Sequence, residues 1–301
     1  MNRHILVIKL GALGDFVQAF PAFQAIRTHH PHARITLLTT RAFAGLGEAS
    51  PWFDAIEVDE RPKITNRRGM RHLKDQLSGF DLIYDLQTSA RSTWYYRFAG
   101  HRMWSGIAGQ AALPHANPWR DQMHTRTRQR DQLRMAGIPE VPDADLSWLV
   151  EAGPVIAEPY ALLFPGAAPH RPGKRWPAER YAELACELSR RGVLPVISGS
   201  REDGELASVI RAGCPGALDL TGQTTLPELG GVCARACLAI GNDTGPMHLA
   251  AAMGCRAITL FSGESDPSLT APSGRTAGQV RVIRVNDMAT LSVDRVVSAL
   301  G

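Results

Sequence analysis

The chain has 301 residues, 44% of them hydrophobic and 21% charged; that length suggests two domains, and that composition excludes a mainly disordered chain. Its 28 glycines and 20 prolines follow no three-residue period, which excludes a collagen-like helix, and no apolar run reaches the ~18 residues of a membrane-spanning helix. The net charge of +4 is uneven, with 19 Lys and Arg against 14 Asp and Glu in residues 1–150, and 14 against 15 in residues 151–301, so an anionic partner is expected at the first half.

Short apolar runs alternate with longer amphipathic stretches along the whole chain. Strands are predicted at His4–Leu10, Arg34–Thr39, Ala55–Val58, Asp81–Asp85 and Arg102–Ile107. The strand-like start at His4 leaves no space for a signal peptide, so a cytoplasmic chain is expected. Further strands are predicted at Tyr160–Phe164, Leu194–Ser198, Ala217–Leu220, Leu238–Gly241, Ala257–Phe261 and Val280–Val285. Helical periodicity lies between most of them. It is clearest over Pro177–Arg191, where Tyr181, Leu184, Ala185 and Leu188 share one side and Arg190-Arg191-Gly192 reads as a stop. Strands alternating with helices imply parallel sheets with right-handed crossovers, and runs apolar on both faces imply strands covered on two sides. Four prolines break the rhythm between Pro139 and Pro159, which reads as a linker. The expected architecture is α/β, with two doubly wound Rossmann-like domains at 1–150 and 151–301 facing across a cleft. Ligands in such sheets bind beyond the carboxyl ends of the strands. Five cysteines, all in the second half and without a C-x-x-C pair, read as free, mostly buried thiols.

Four segments could carry chemistry. In Lys9-Leu10-Gly11-Ala12-Leu13-Gly14-Asp15 the glycines permit a tight turn, and Asp15 opens a helix as a cap or as a functional carboxylate. The full G-x-G-x-x-G is absent, so a dinucleotide fingerprint is not supported. In Pro165-Gly166 through Lys174-Arg175-Trp176-Pro177, Pro177 fits the first turn of a helix and Lys174 precedes its N-terminus, where phosphate is favoured. Lys174 is the one lysine of the second half, in a chain with 29 arginines; it reads as a selected ammonium or as a solvated side chain. In Gly241-Asn242-Asp243-Thr244-Gly245-Pro246-Met247-His248 a strand meets a helix start. Asp243, Thr244 and the N–H groups at Thr244 and Gly245 converge there as an anion site, with His248 one turn on. Finally, Arg61, Lys63, Arg67, Arg68, Arg71 and Lys74 form a basic stretch, and Arg120, Arg126, Arg128, Arg130 and Arg134 form a second. Either reads as a solvated helix face; the first could instead hold acceptor phosphates or carboxylates. No nucleic-acid motif or stacking set accompanies them, so a nucleic-acid partner is not expected.

Two patterns are discounted. Asp143-Ala144-Asp145 resembles a metal-holding D-x-D string but falls in the linker, and His29-His30-Pro31-His32 has no further ligands nearby. No metal is expected. Neither G-x-S-x-G nor a Walker A sequence occurs.

Over nearly its whole length the chain resembles glycosyltransferase family 9, the ADP-heptose:lipopolysaccharide heptosyltransferases. The anchors are Gly14-Asp15, Lys174-Arg175-Trp176-Pro177 and the run from Gly241 to Ala252. Asp81–Gln87 and Leu260–Pro267 also resemble family segments, the latter departing from the usual Phe-Gly-Pro-Thr run. The resemblance implies the GT-B fold, with acceptor on the first domain and nucleotide-sugar on the second, and a final helix, Leu291–Leu300, that crosses back onto the first. It implies an inverting, metal-independent transfer from ADP-heptose without a further cofactor. Asp15 is then the general base. Lys174 and the Thr244-Gly245 helix start stabilise the leaving diphosphate. Gly14, Glu202, Asp243, Thr244, Gly245 and His248 are expected at the donor. Arg61, Lys63, Arg67 and Arg68 are expected at an anionic, lipid-linked saccharide acceptor of the lipopolysaccharide inner core. Peripheral contact with the cytoplasmic face of the inner membrane is expected, and no obligate protein partner. Alternatives are a nucleotide-sugar 2-epimerase-like isomerase of the same fold, a family 9 transferase with another donor sugar, and a non-catalytic binding module.

Overall fold

The computed structural model describes residues 3–100 and 103–301. The chain divides into two units, ending and starting at Asp145 and Leu146. Each holds a six-stranded, wholly parallel sheet among the described residues.

The first unit runs β1 (His4–Ile8), α1 (Leu13–Val17), α2 (Phe20–His29), β2 (Arg34–Thr39), α3 (Arg41–Ala49), β3 (Ala55–Val58), α4 (Arg67–Gln76), β4 (Leu82–Asp85), α5 (Ala90–Ala99), β5 (Trp104–Gly106), β6 (Leu113–Pro114) and α6 (Thr125–Met135). Sheet order is β3-β2-β1-β4-β5-β6, so the winding reverses between β1 and β4. Register sets Ile8 level with Asp85, which brings the exits of these two strands side by side. Ile5 to Ile8 are buried on both faces, as expected of an inner parallel strand. Behind the sheet, Phe16, Phe20, Phe23 and Trp52 interlock edge-on or tilted, an arrangement favoured by ring quadrupoles. The strand predicted at Arg102–Ile107 is the shorter β5; Arg102 lies outside the described residues.

The second unit runs α7 (Ser147–Val150), β7 (Tyr160–Phe164), α8 (Ala178–Arg190), β8 (Leu194–Ile197), α9 (Gly204–Gly213), β9 (Leu218–Asp219), α10 (Leu226–Arg235), β10 (Leu238–Asn242), α11 (Gly245–Ala252), β11 (Ala257–Phe261), α12 (Pro267–Thr270), β12 (Val280–Arg284) and α13 (Val293–Val297). Order β12-β11-β10-β7-β8-β9 puts the reversal between β7 and β10. Inner strands β7, β10 and β11 are buried throughout, whereas edge strand β12 is not. Trp176 is buried at the heart of this core, edge-on to Tyr181 at 4.9 Å, its Nε1 donating to Leu291 O at 2.9 Å.

One boundary differs from the sequence expectation. The unit division falls at 145/146, earlier than 150/151, because Leu146 and Leu149 are buried and α7, formed inside the proline-rich stretch, packs on α10 beside Gly230. The terminal helix α13 packs on α8 of its own unit. Its segment buries Leu291, Val296 and Leu300 in that unit's core. The five cysteines are unpaired; Cys214, Cys233 and Cys255 are buried and Cys237 is exposed.

Candidate active site

Each reversal point gathers polar side chains at the carboxyl ends of its strands. In the first unit, the exit of β1 turns at Gly11, whose φ of +119° lies in the region that only glycine adopts without strain. A Cβ there would meet the Phe43 ring at 2.6 Å. Helix α1 then opens with Ala12 at its N-cap and no side-chain cap bond. Asp15 is thus not the cap; it stands in the first turn of α1, next to Gly14, and both are half-buried.

Lys9, directly beyond β1, is 4% exposed, and its Nζ donates to Leu86 O at 3.0 Å. Burial pushes its pKa down, opposed by the negative charges of Asp15 and Asp85. Asp85 ends β4 and is fully buried. Its Oδ1 accepts from the N–H groups of Gln87 (3.0 Å) and Thr88 (2.9 Å). Burial nonetheless raises its pKa to about 6, because the charged form loses more hydration than these bonds return. Gln87 closes the cluster by accepting from Leu10 N at 2.9 Å. The buried Lys9 side chain, within the electrostatic reach of Asp15 and Asp85, therefore sits where the winding reverses. Of these groups, sequence reasoning singled out Asp15 alone, although Lys9 and Asp85 stood in the segments it quoted.

The basic stretch divides. Arg61 lies beyond β3 with φ +49°; its N–H donates to Asp59 Oδ1 at 2.8 Å and its Nη2 to Leu10 O at 3.1 Å. Asp59 Oδ2 in turn accepts from Tyr95 OH at 2.5 Å. Arg61 therefore braces the loop that carries Asp15. Lys63, Arg67 and Arg68 are exposed on and before the first turn of α4.

In the second unit, Asn242 ends β10 fully buried. Its Oδ1 accepts from Trp176 N and Tyr181 OH, both at 3.1 Å. Its Nδ2 donates to Pro165 O (2.7 Å) and Gly166 O (3.3 Å). One side chain thus ties the β7 loop to the start of α8; its place inside the quoted motif was the available signal. Next to it, Asp243 Oδ2 meets Lys174 Nζ at 2.5 Å, both side chains largely buried. Thr244 is the N-cap of α11 but makes no cap bond, so its hydroxyl is not spent on the helix. Gly245 opens that helix, and His248 is buried in its second turn. Aligned N–H groups at this start, with Lys174 alongside, suit an anion.

Glu202 is exposed in a 3-10 turn, Arg201–Asp203, beyond β8. Its neighbour Asp203 holds the turn, accepting from Ser200 N (2.8 Å) and Ser200 Oγ (2.9 Å). The discounted D-x-D string is engaged elsewhere: Asp143 pairs with Arg126 and Arg130 on α6. Among the described residues no group of three or more His, Cys, Asp or Glu is placed to hold a metal. None of their helices is long and apolar enough to cross a membrane.

The chain is 25% identical to lipopolysaccharide heptosyltransferase 2 of Escherichia coli, over 93% of this chain and 88% of that protein. It is 28% identical to lipopolysaccharide heptosyltransferase 1 of Pseudomonas aeruginosa, over 90% and 82%. Its fold matches that of E. coli heptosyltransferase WaaC solved with ADP, with a TM-score of 0.81 and 20% identity, over 99% of this chain and 98% of that one. The model of glycosyltransferase family 9 (heptosyltransferase) matches residues 68–298, and on that match the chain belongs to family 9.

Proposed function

We propose that the protein moves heptose from ADP-heptose to an anionic, lipid-linked saccharide of the lipopolysaccharide inner core, with inversion at the anomeric carbon. The observation that carries the reading is the Lys174–Asp243 pair beside the start of α11, a ready seat for a diphosphate. Relatives named as lipopolysaccharide heptosyltransferases and a similar fold solved with ADP support the donor.

Asp15 accepts the proton of an acceptor hydroxyl as its oxygen attacks the anomeric carbon. The bond from that carbon to the diphosphate oxygen breaks, and the nucleoside diphosphate leaves. Lys174 and the N–H groups at Thr244-Gly245 take up its growing charge, so the step is written without a metal. Lys174 is held by Asp243 beforehand, which spares it a search among rotamers. Gly14, Glu202 and His248 are assigned to the donor, and Arg61, Lys63, Arg67 and Arg68 to the acceptor side. Arg61 serves through the Asp15 loop; the other three attract anions over distance, including a membrane's cytoplasmic face.

The test is a screen of ADP-, UDP- and GDP-sugars for thermal stabilisation, followed by mass spectrometry of products with and without an acceptor. Product that needs both ADP-heptose and acceptor is expected. Conversion of the donor alone would instead mark an isomerase.

A further inference from the structure

We propose that Trp119, Arg120 and Arg128 form a subsite for an acidic sugar of the acceptor, in which the Asp121 carboxylate holds the place of the sugar's phosphate or carboxylate. The proposal rests on the transferase reading and names where the acceptor's charge is held.

The segment beyond β6 is built from the inside outward. His115 is buried, and its Nε2 lies 2.9 Å from Asp131 Oδ2, which also accepts from Asn117 Nδ2 at 2.7 Å. With Nε2 donating to Asp131, Nδ1 is left to accept from Arg120 Nε at 3.5 Å. Arg120 is thereby fixed, 15% exposed, with a buried Nη2 that has no hydrogen-bond partner. Gln132 anchors α6 to the end of β4 by donating to Asp85 O at 2.9 Å. Arg128 stands one turn earlier on the same face, its Nη2 donating to Thr125 Oγ1 at 3.3 Å.

Two guanidinium groups held from behind converge on one oxygen. Asp121 Oδ1 is 2.6 Å from Arg120 Nη1 and 3.8 Å from Arg128 Nη1, yet the Asp121 side chain is 80% exposed. An exposed carboxylate gains little from such pairing, so a ligand anion displaces it cheaply. The arginines, already ordered, give up little freedom to receive it. The residue before Arg120 is Trp119, 63% exposed; an indole this open is uncommon and offers an apolar face to the C–H face of a sugar ring. Arg120 lies within the electrostatic reach of Asp85, and Arg128 within that of Lys9. Gln132, one turn after Arg128 on α6, donates to Asp85 O, so the seat and the first unit's cluster share one framework. Exposed Arg67 and Arg68 have no comparable support, and solvated cations discriminate poorly between anions.

Trp119 reports on the subsite without turnover. Fluorescence of the full chain is followed while glucose 6-phosphate, glucuronate or inorganic phosphate is added, with ADP saturating so that the second unit's anion site is filled. Both sugars are expected to change the emission, and the Trp119→Phe variant to abolish that change. The stronger of the two sugars tells phosphate from carboxylate, and inorganic phosphate alone should bind more weakly than either. Asp121→Asn should tighten sugar binding about fivefold, Arg120→Ala with Arg128→Ala should weaken it at least tenfold, and the Lys pair at these positions should restore part of the loss. In transfer assays the same variants should move the acceptor KM and leave the donor KM within twofold. Unchanged binding in Asp121→Asn, an undiminished response in the double Ala variant, or equal loss at both KM values overturns the subsite. Failure of ADP to stabilise the wild-type protein counts separately, against the transferase reading.

Discussion

The two reversal points share a topology and differ in where the lysine sits. In the first unit Lys9 is fixed against a backbone carbonyl, at 3.0 Å from Leu86 O, within the electrostatic reach of Asp15 and Asp85. In the second, Lys174 ends a 3-10 turn, Pro172–Lys174, and forms an ion pair with Asp243. A lysine tied to a backbone carbonyl is fixed in place and orders the strand exits around it. A cation paired through one carboxylate oxygen can exchange that partner for a ligand's phosphate. On the proposed reading, the same strand geometry would serve a base in one unit and an anion seat in the other.

That division of labour can be broken most sharply at Asp15. Asp15→Ala should lower transfer by about 10²–10⁴-fold while ADP still raises the melting temperature as in wild type; loss of both together would end the separation of roles. Lys174→Ala should cost about 10²–10³-fold in kcat and also remove most of the ADP stabilisation, the opposite signature in the binding assay. The pH dependence of stability sharpens the first unit's half of the comparison. Asp85 has a folded-state pKa of about 6, above the ~3.9 of an unfolded chain. The folded protein holds the extra proton between those values, so stability falls as pH rises through that window and the loss levels off above it. Chemical denaturation at pH 4 and pH 7 should show a drop of about 2 kcal/mol in wild type that Asp85→Asn lacks. The smallest effect is expected at α4: Arg67→Ala with Arg68→Ala should raise the acceptor KM about twofold at low salt and not at all at high salt.

Much of this architecture was legible before any coordinates. Inner strands such as Tyr160–Phe164 and Ala257–Phe261 declare themselves because burial on both faces demands an unbroken apolar run. Leu113–Pro114 does not, since two residues carry no period and a proline argues against a strand. Helix α7 hid among prolines because its four residues are held by packing on α10 rather than by propensity. At the sites, the residue types were readable and their pairings were not. Lys174 and Asp243 are 69 positions apart, and no local pattern links them. Likewise Lys9 lay within a quoted segment, but its role depends on Asp85 arriving from a neighbouring strand.

Asp203 gives the second unit one further property. Its carboxylate occupies the space where a Cβ would stand on Gly166, at 2.4 Å, and on Gly199, at 2.7 Å, so the loops leaving two neighbouring strands are keyed to one acid. Glu202, a single step away, faces solvent. Adjacent acids therefore answer to different masters: a change at Glu202 meets only solvent, whereas a change at Asp203, or at either glycine, unseats the loops that leave both strands.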